Sequence, residues 1–302
     1  MIKSGLARLD KILGGGFAEG FNIAFIGTFE NDHILLMHQV LRSMLEQGKK
    51  ILLLEFRDHP KTMTEWLEFY GISYNKYILR EQLVILDGYT NMYSTRRVTE
   101  NNVLSNPLDI PIVTSIIKDK VKKEGFDYVV FDDFTTLYAL LPNRSVYLRA
   151  MIRFTNSMRS LGAGVIGALE KDVMPLADFA VMMMPFGYII SVNSSDRSIT
   201  VLKSPYSFSG IRMSFIYIKT PRGIEVYMES EEAMNLLEQI RSSLRMDEKG
   251  RLWIMDNRSQ IVINSSEASL IETIYEYLGG KRSKTPLPLG KKGKRGLRKV
   301  HD

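Results

Sequence analysis

The chain has 302 residues, 45% of them apolar and 25% charged, with a net charge of +6 and no cysteine. That is enough material for one large α/β domain with appendages, or for two modest domains. It excludes thiolate nucleophiles and thiolate metal sites, and with no run of about twenty apolar residues it excludes a membrane-spanning helix. The opening Met1-Ile2-Lys3-Ser4-Gly5 has no apolar block of a secretory signal, so a reducing cytoplasm is the expected location. His33, His38, His59 and His301 are scattered rather than spaced as metal ligands. The positive charge is concentrated at the end. Lys281, Arg282, Lys284, Lys291, Lys292, Lys294, Arg295, Arg298 and Lys299 face only Asp302, so residues 281–302 carry +8 and residues 1–280 carry −2.

In chain order, the first expected strand covers 21–27 and is apolar on both faces, as a buried parallel strand is. Leu36, Val40 and Met44 then recur at helical spacing within 32–47, and Gly48 supplies a C-terminal stop. A strand over 50–56, a helix opened by Pro60 and running to 69, a break at Gly71 and a strand over 82–87 continue the alternation. Residues 88–107 are polar and uneven, and read as a long loop. A helix over 110–123, a strand over 128–134, a helix over 144–161 and a strand over 164–169 complete five strand-helix alternations, which predicts a doubly wound, mostly parallel sheet.

The pattern changes after residue 179. Short strands are expected at 180–184, 188–192, 198–203, 211–219 and 225–228, read as antiparallel hairpins. Beyond them come a helix over 231–244, a hairpin on 251–255 and 260–263, and a helix over 266–278 capped by Asn264 or Ser265. The expected organisation is therefore a domain over 1–228, a small α+β accessory extension over 229–280, and a disordered basic tail over 281–302 with too little apolar surface to offset the entropy of ordering.

Phosphates bind where a first buried strand turns into its helix, because the helix amides and dipole face the ligand there. That turn is Gly27-Thr28-Phe29-Glu30-Asn31-Asp32-His33-Ile34. A working phosphate loop, G-x-x-x-x-G-K-[ST], needs glycines for close backbone approach, a lysine against the phosphates and a hydroxyl for magnesium. Only Gly27 meets the pattern: Asp32 replaces the second glycine, His33 the lysine and Ile34 the hydroxyl residue. A carboxylate about 4 Å from a phosphate costs roughly 1 to 4 kcal/mol in solvated settings. Glu30 and Asp32 are expected to form a solvated acidic turn.

The surroundings of this octapeptide carry a resemblance. Ser4-Gly5-Leu6-Ala7-Arg8-Leu9-Asp10, followed by Leu13-Gly14-Gly15-Gly16-Phe17, resembles the opening of the RecA/RadA/KaiC superfamily. Residues 47–54, Leu176-Ala177-Asp178, Val201-Leu202-Lys203 and Gly223-Ile224-Glu225-Val226 are similar to further KaiC-type elements, so the resemblance covers about 1–228 and is strongest to archaeal KaiC-like proteins. It implies a RecA-like fold and a nucleotide site made of Gly27, Thr28, Asn31, Asp32, His33 and Ile34 with Asp132, Asp133 and Lys203. Tyr128-Val129-Val130-Phe131-Asp132-Asp133 resembles a Walker B strand, which makes Asp132 the candidate magnesium ligand. The family's paired catalytic glutamates fall on Arg57 and Asp58, and Pro205 stands where the family has an arginine that follows the lysine at Lys203. Tyr89, Tyr93, Arg96 and Arg97 lie on the long loop, where RecA-like proteins handle DNA or neighbouring subunits.

Three functions compete at this level. The leading one is a non-hydrolysing adaptor, partnering itself or a RecA/KaiC paralogue, that serves regulation or DNA processing. The second is an ATPase with an unorthodox site that binds ATP and magnesium through Asp132. The third is a protein that binds nucleic acid without sequence preference through its tail, by counterion release. Sixteen methionines, including Met182-Met183-Met184, are packing residues rather than a cofactor box.

Overall fold

The computed structural model describes the backbone of residues 1–206, 214–229, 244–246, 252–256 and 259–263, and the side chains of those up to 226. The expected helix over 266–278, most of that over 231–244 and the tail over 281–302 lie outside the described residues. The chain divides into two compact units, Met1–Tyr227 and Met228–Asp302.

The first unit opens with a short helix, α1 (Ala7–Ile12), then strand β1 (Ile23–Gly27) and helix α2 (Asp32–Glu46). Strand β2 (Ile51–Glu55) leads to helix α3 (Pro60–Phe69), where Pro60 sits in the first turn and the His59 side chain accepts from the Lys61 amide. A short α4 (Asn75–Leu79) precedes β3 (Leu83–Asp87). The long loop contains one turn of helix, α5 (Thr90–Tyr93), with the Tyr89 and Tyr93 rings 4.7 Å apart and Arg96 and Arg97 exposed.

Helix α6 (Ile110–Glu124) buries Ile110, Val113, Ile117 and Val121, a stripe at helical spacing, and ends on Gly125 in the left-handed region. Strand β4 (Tyr128–Asp132) stops two residues earlier than its apolar sequence suggests, because the Asp133 carboxylate accepts from the Thr136 amide at 2.9 Å and starts a new helix, α7 (Phe134–Leu140). Helix α8 (Arg144–Ser160) and strand β5 (Gly164–Glu170) follow.

Two expectations are corrected beyond this point. Residues 180–184 are not a strand: they belong mainly to helix α9 (Leu176–Met183), whose apolar run packs Met182 and Met183 inward. Strand β6 (Tyr188–Asn193) is not part of a hairpin with what precedes it, but pairs parallel to β1. Antiparallel pairing begins only with β7 (Ser198–Lys203) and continues through β8 (Ser214–Thr220) and β9 (Gly223–Glu229).

The nine-stranded sheet has the order β3-β2-β4-β5-β1-β6-β7-β8-β9. From β3 through β6 each strand pairs parallel with its neighbours, which makes this a RecA-like doubly wound sheet with antiparallel hairpins at its C-terminal end. Alternate residues face two cores. Ile23, Phe25, Ile166 and Ala168 join α1, α2 and α3 on one side, while Ala24, Ile26, Val165 and Leu169 join α6, α7 and α8 on the other. All five consecutive residues of β1, β2 and β4 are buried, as central strands covered on both faces require. In the second unit, β10 (Leu244–Met246), β11 (Leu252–Asp256) and β12 (Ser259–Ile263) form an antiparallel three-stranded sheet.

Candidate functional site

Parallel registry brings the chemistry to one edge. Glu55 lies beside both Asp87 and Asp132, and Gly27 lies beside Glu170, so the carboxyl ends of β3, β2, β4 and β5 each present an acid. Open α/β sheets bind ligands outside these strand ends.

The β1–α2 turn is filled by its own side chains. Asn31 adopts φ 64° and passes the chain into α2, and the Thr28 hydroxyl donates to the Glu30 carboxylate next to an exposed Phe29. Asp32, His33 and Ile34 are all buried. The expected solvated turn is therefore corrected at Asp32: Lys219 Nζ donates to Oδ1 at 2.7 Å, and the Tyr217 hydroxyl donates to Oδ2. A cation and a phenol from β8 hold the carboxylate at the helix N-terminus, where a dipole favours negative charge.

His33 folds back over the strand end. A Cβ placed on Gly27 would come within 2.4 Å of the His33 ring, so glycine is needed here to admit the imidazole. Both ring nitrogens are buried without a hydrogen-bond partner, and burial pushes the His33 pKa down to about 4, with the Asp132 and Arg57 charges acting in opposite senses. The ring is neutral at physiological pH and offers no cation to a phosphate.

Asp132 is enclosed. His38 Nε2 lies 2.8 Å from Oδ2, and the Nδ1 of the same ring lies 2.8 Å from the Tyr74 hydroxyl. Arg57 Nε stands 3.5 Å from Oδ1, and its guanidinium also pairs with Asp58 at 3.0 Å and faces the Trp66 ring at 5.9 Å. Both oxygens of the expected magnesium ligand thus face nitrogen. Burial alone would raise the Asp132 pKa, but the Arg57 guanidinium and the His38 bond outweigh it and hold the carboxyl below the usual carboxylate range.

Glu55 completes the cluster. Its Oε1 accepts from the amides of Arg57 and Asp58 at 3.0 and 2.8 Å, which shapes the turn into α3. Burial and the adjacent Asp132 charge push its pKa well above the ordinary range. Its Oε2 is buried with no hydrogen-bond partner among the described residues. Asp133, also fully enclosed, is raised to about 6, chiefly by burial against the amide bond from Thr136.

Arg57 and Asp58 are brought to the Asp132 cluster, whereas Lys203 is exposed at the end of β7, paired with Ile189 across the strands. The nine basic tail residues lie outside the described part. Sequence reasoning missed Glu55, His38, Tyr74, Tyr217 and Lys219. Only Glu55 left a signal there, as an acid ending an apolar strand.

A family model described as "ATPase: KaiC" matches residues 2–231. The chain belongs to the KaiC ATPase family. Two curated archaeal relatives are both UPF0273 proteins: one of Methanopyrus kandleri, 24% identical over 53% of this chain, and one of Aeropyrum pernix, 21% identical over 47%. The alignments span 63% and 57% of those relatives' own lengths. A KaiC-like protein of the hyperthermophilic archaeon Pyrococcus horikoshii superposes with a TM-score of 0.61 over 75% of this chain and 98% of its own, at 14% identity, a likeness of fold. Among the described residues no helix is long and apolar enough to cross a membrane, and no cluster of three or more His, Asp or Glu side chains is arranged to hold a metal ion.

Proposed function

We propose that this KaiC-family chain is a non-hydrolysing member that acts as an adaptor, using the family's scaffold to regulate an active partner or a DNA-processing assembly. The observation that carries this reading is the Asp32 carboxylate, buried at the phosphate-loop position and already matched by Lys219 and Tyr217. A nucleotide phosphate arriving there would meet an anion and would have to displace that anion's cation, each a term of roughly 1 to 4 kcal/mol. At the magnesium position Arg57 and His38 occupy the Asp132 carboxylate, and the positions of the catalytic glutamates hold Arg57 and Asp58, which pair with each other. These contacts remove the general base, the phosphate cation and the metal ligand together, while the assembly scaffold is kept. The partner is then a second copy of the chain or a family paralogue.

The test is equilibrium binding of labelled ATP with magnesium to the full chain, alongside an Asp132→Ala variant. No saturable binding up to about millimolar ATP is expected. Saturable micromolar binding that disappears in the variant would instead restore the ATPase reading with ATP and magnesium at Asp132. The basic tail gives the adaptor a handle on nucleic acid. Its nine cations predict an affinity for duplex DNA that falls steeply with salt and is lost when residues 281–302 are deleted.

A further inference from the structure

A groove of about 720 Å³ opens between the first turns of α6 and α8, and it shares no residue with the β1–α2 turn or the Asp132 cluster. Leu108, Ile110, Pro111, Leu141, Val146 and Ala150 supply its apolar wall. Val146 is 51% and Leu108 37% exposed, so the wall is open to solvent rather than closed by the fold. Arg149 and Arg153 line the same groove, exposed and one helical turn apart on α8, and among the described residues neither guanidinium has an ion-pair or hydrogen-bond partner. The single acid on the lining, Asp109, is engaged at home: its Oδ1 accepts from the Ile112 amide at 3.1 Å and caps α6.

Apolar surface rimmed by unpaired arginines is the composition of a protein-binding patch. We infer that this groove receives an acidic amphipathic segment of a partner protein, whose apolar side chains lie on the Leu108–Val146 wall and whose carboxylates meet Arg149 and Arg153. Residues four apart on a helix stand about 6 Å from each other, so the two guanidiniums match two carboxylates one turn apart on a docked helix. A guanidinium takes a carboxylate with two parallel hydrogen bonds, which fixes register as well as charge. The ring that lines the groove, Tyr147, is buried and hydrogen-bonded to the Phe134 carbonyl at 2.8 Å, which leaves no aromatic platform for stacking bases. This favours a peptide over a single-stranded nucleic acid. The inference goes beyond the adaptor reading and holds whether or not the chain binds nucleotide.

The test is fluorescence anisotropy with the full chain and a fluorescein-labelled helical peptide of about sixteen residues, leucines along one face and glutamates one turn apart beside them. Saturable binding in the micromolar range is expected. It should weaken at least about tenfold with the Arg149→Glu/Arg153→Glu double variant, with Val146→Asp, and with a peptide whose glutamates are glutamines. All three protein positions are exposed, so unchanged thermal unfolding midpoints will show that the fold is kept. The inference is overturned if the peptide does not saturate, if the double variant or the glutamine peptide binds as tightly, or if an oligothymidylate rather than the peptide loses its binding in the double variant.

Discussion

Two dipeptides, Asp32-His33 after β1 and Asp132-Asp133 at the end of β4, are built to one plan. In each, the first residue is a buried carboxylate facing a basic side chain, and the second is a buried group whose charge burial suppresses. They differ in where the basic side chain comes from. Asp132 is met by His38 from α2 and by Arg57 just beyond β2, both inside the parallel core. Asp32 is met by Tyr217 and Lys219, which the antiparallel addition supplies from 185 and 187 residues further along the chain. The Asp132 carboxylate is thus met from within the parallel core, and the Asp32 carboxylate from the strands appended to it.

Substitutions can break that contrast, starting with the enclosed member. Asp132→Ala leaves Arg57 and His38 without their shared carboxylate and should cost about 3 to 5 kcal/mol in urea unfolding. A loss below about 1 kcal/mol would mean the cluster does not hold the strand ends together. Tyr217→Phe strips one donor from a buried carboxylate and should cost about 1.5 to 3 kcal/mol, less than the first because Lys219 remains. Equal costs at the two sites would erase the difference between core and appended strands.

The second residues of the dipeptides sharpen the comparison through pH, with opposite signs. Asp133 binds its proton more tightly in the folded state, at about 6 against an ordinary 3.8, so its contribution is present below pH 3.8 and lost as pH rises through 6. Asparagine keeps the helix cap, so Asp133→Asn should gain about 1 to 3 kcal/mol at pH 7 and remove that loss from a stability profile. His33 binds its proton less tightly, at about 4 against 6.5, so stability falls as pH drops through that window. His33→Leu should flatten the acid side and add about 1 to 2 kcal/mol by removing two unpartnered nitrogens. Steeper acid sensitivity in this variant would contradict the buried neutral ring.

The parallel core was legible because its rules are local. Apolar runs at β1, β2 and β4, the Pro60 start and the glycine stops each announce themselves within a few residues. The boundary at 133 was missed because Phe134 carries the apolar run of β4 past the two acids and nothing local marks Asp133 as a cap, and α9 was missed because Phe179, Val181 and Met182 suit a strand as well as a short apolar helix. Within the candidate site, the departure of Asp32, His33 and Ile34 from the phosphate-loop pattern was visible, but their surroundings were not. A carboxylate on a turn reads as solvated until its partners are known, and Tyr217 and Lys219 are too distant in sequence to be paired with it by pattern. His38 occupies a buried stripe of α2, where a single polar residue gives no hint of the strand end it touches.

The span between Asp32 and Lys219 also sets an order of events. During synthesis the turn after β1 emerges long before β8, so α2 carries its carboxylate uncompensated until most of the first unit has been made. In the finished sheet β6 and β7 lie between β1 and the strand that carries the lysine. Contacts of such long sequence separation form late and slow the overall rate. A chain halted before residue 219 would carry an exposed acidic turn that the finished protein conceals.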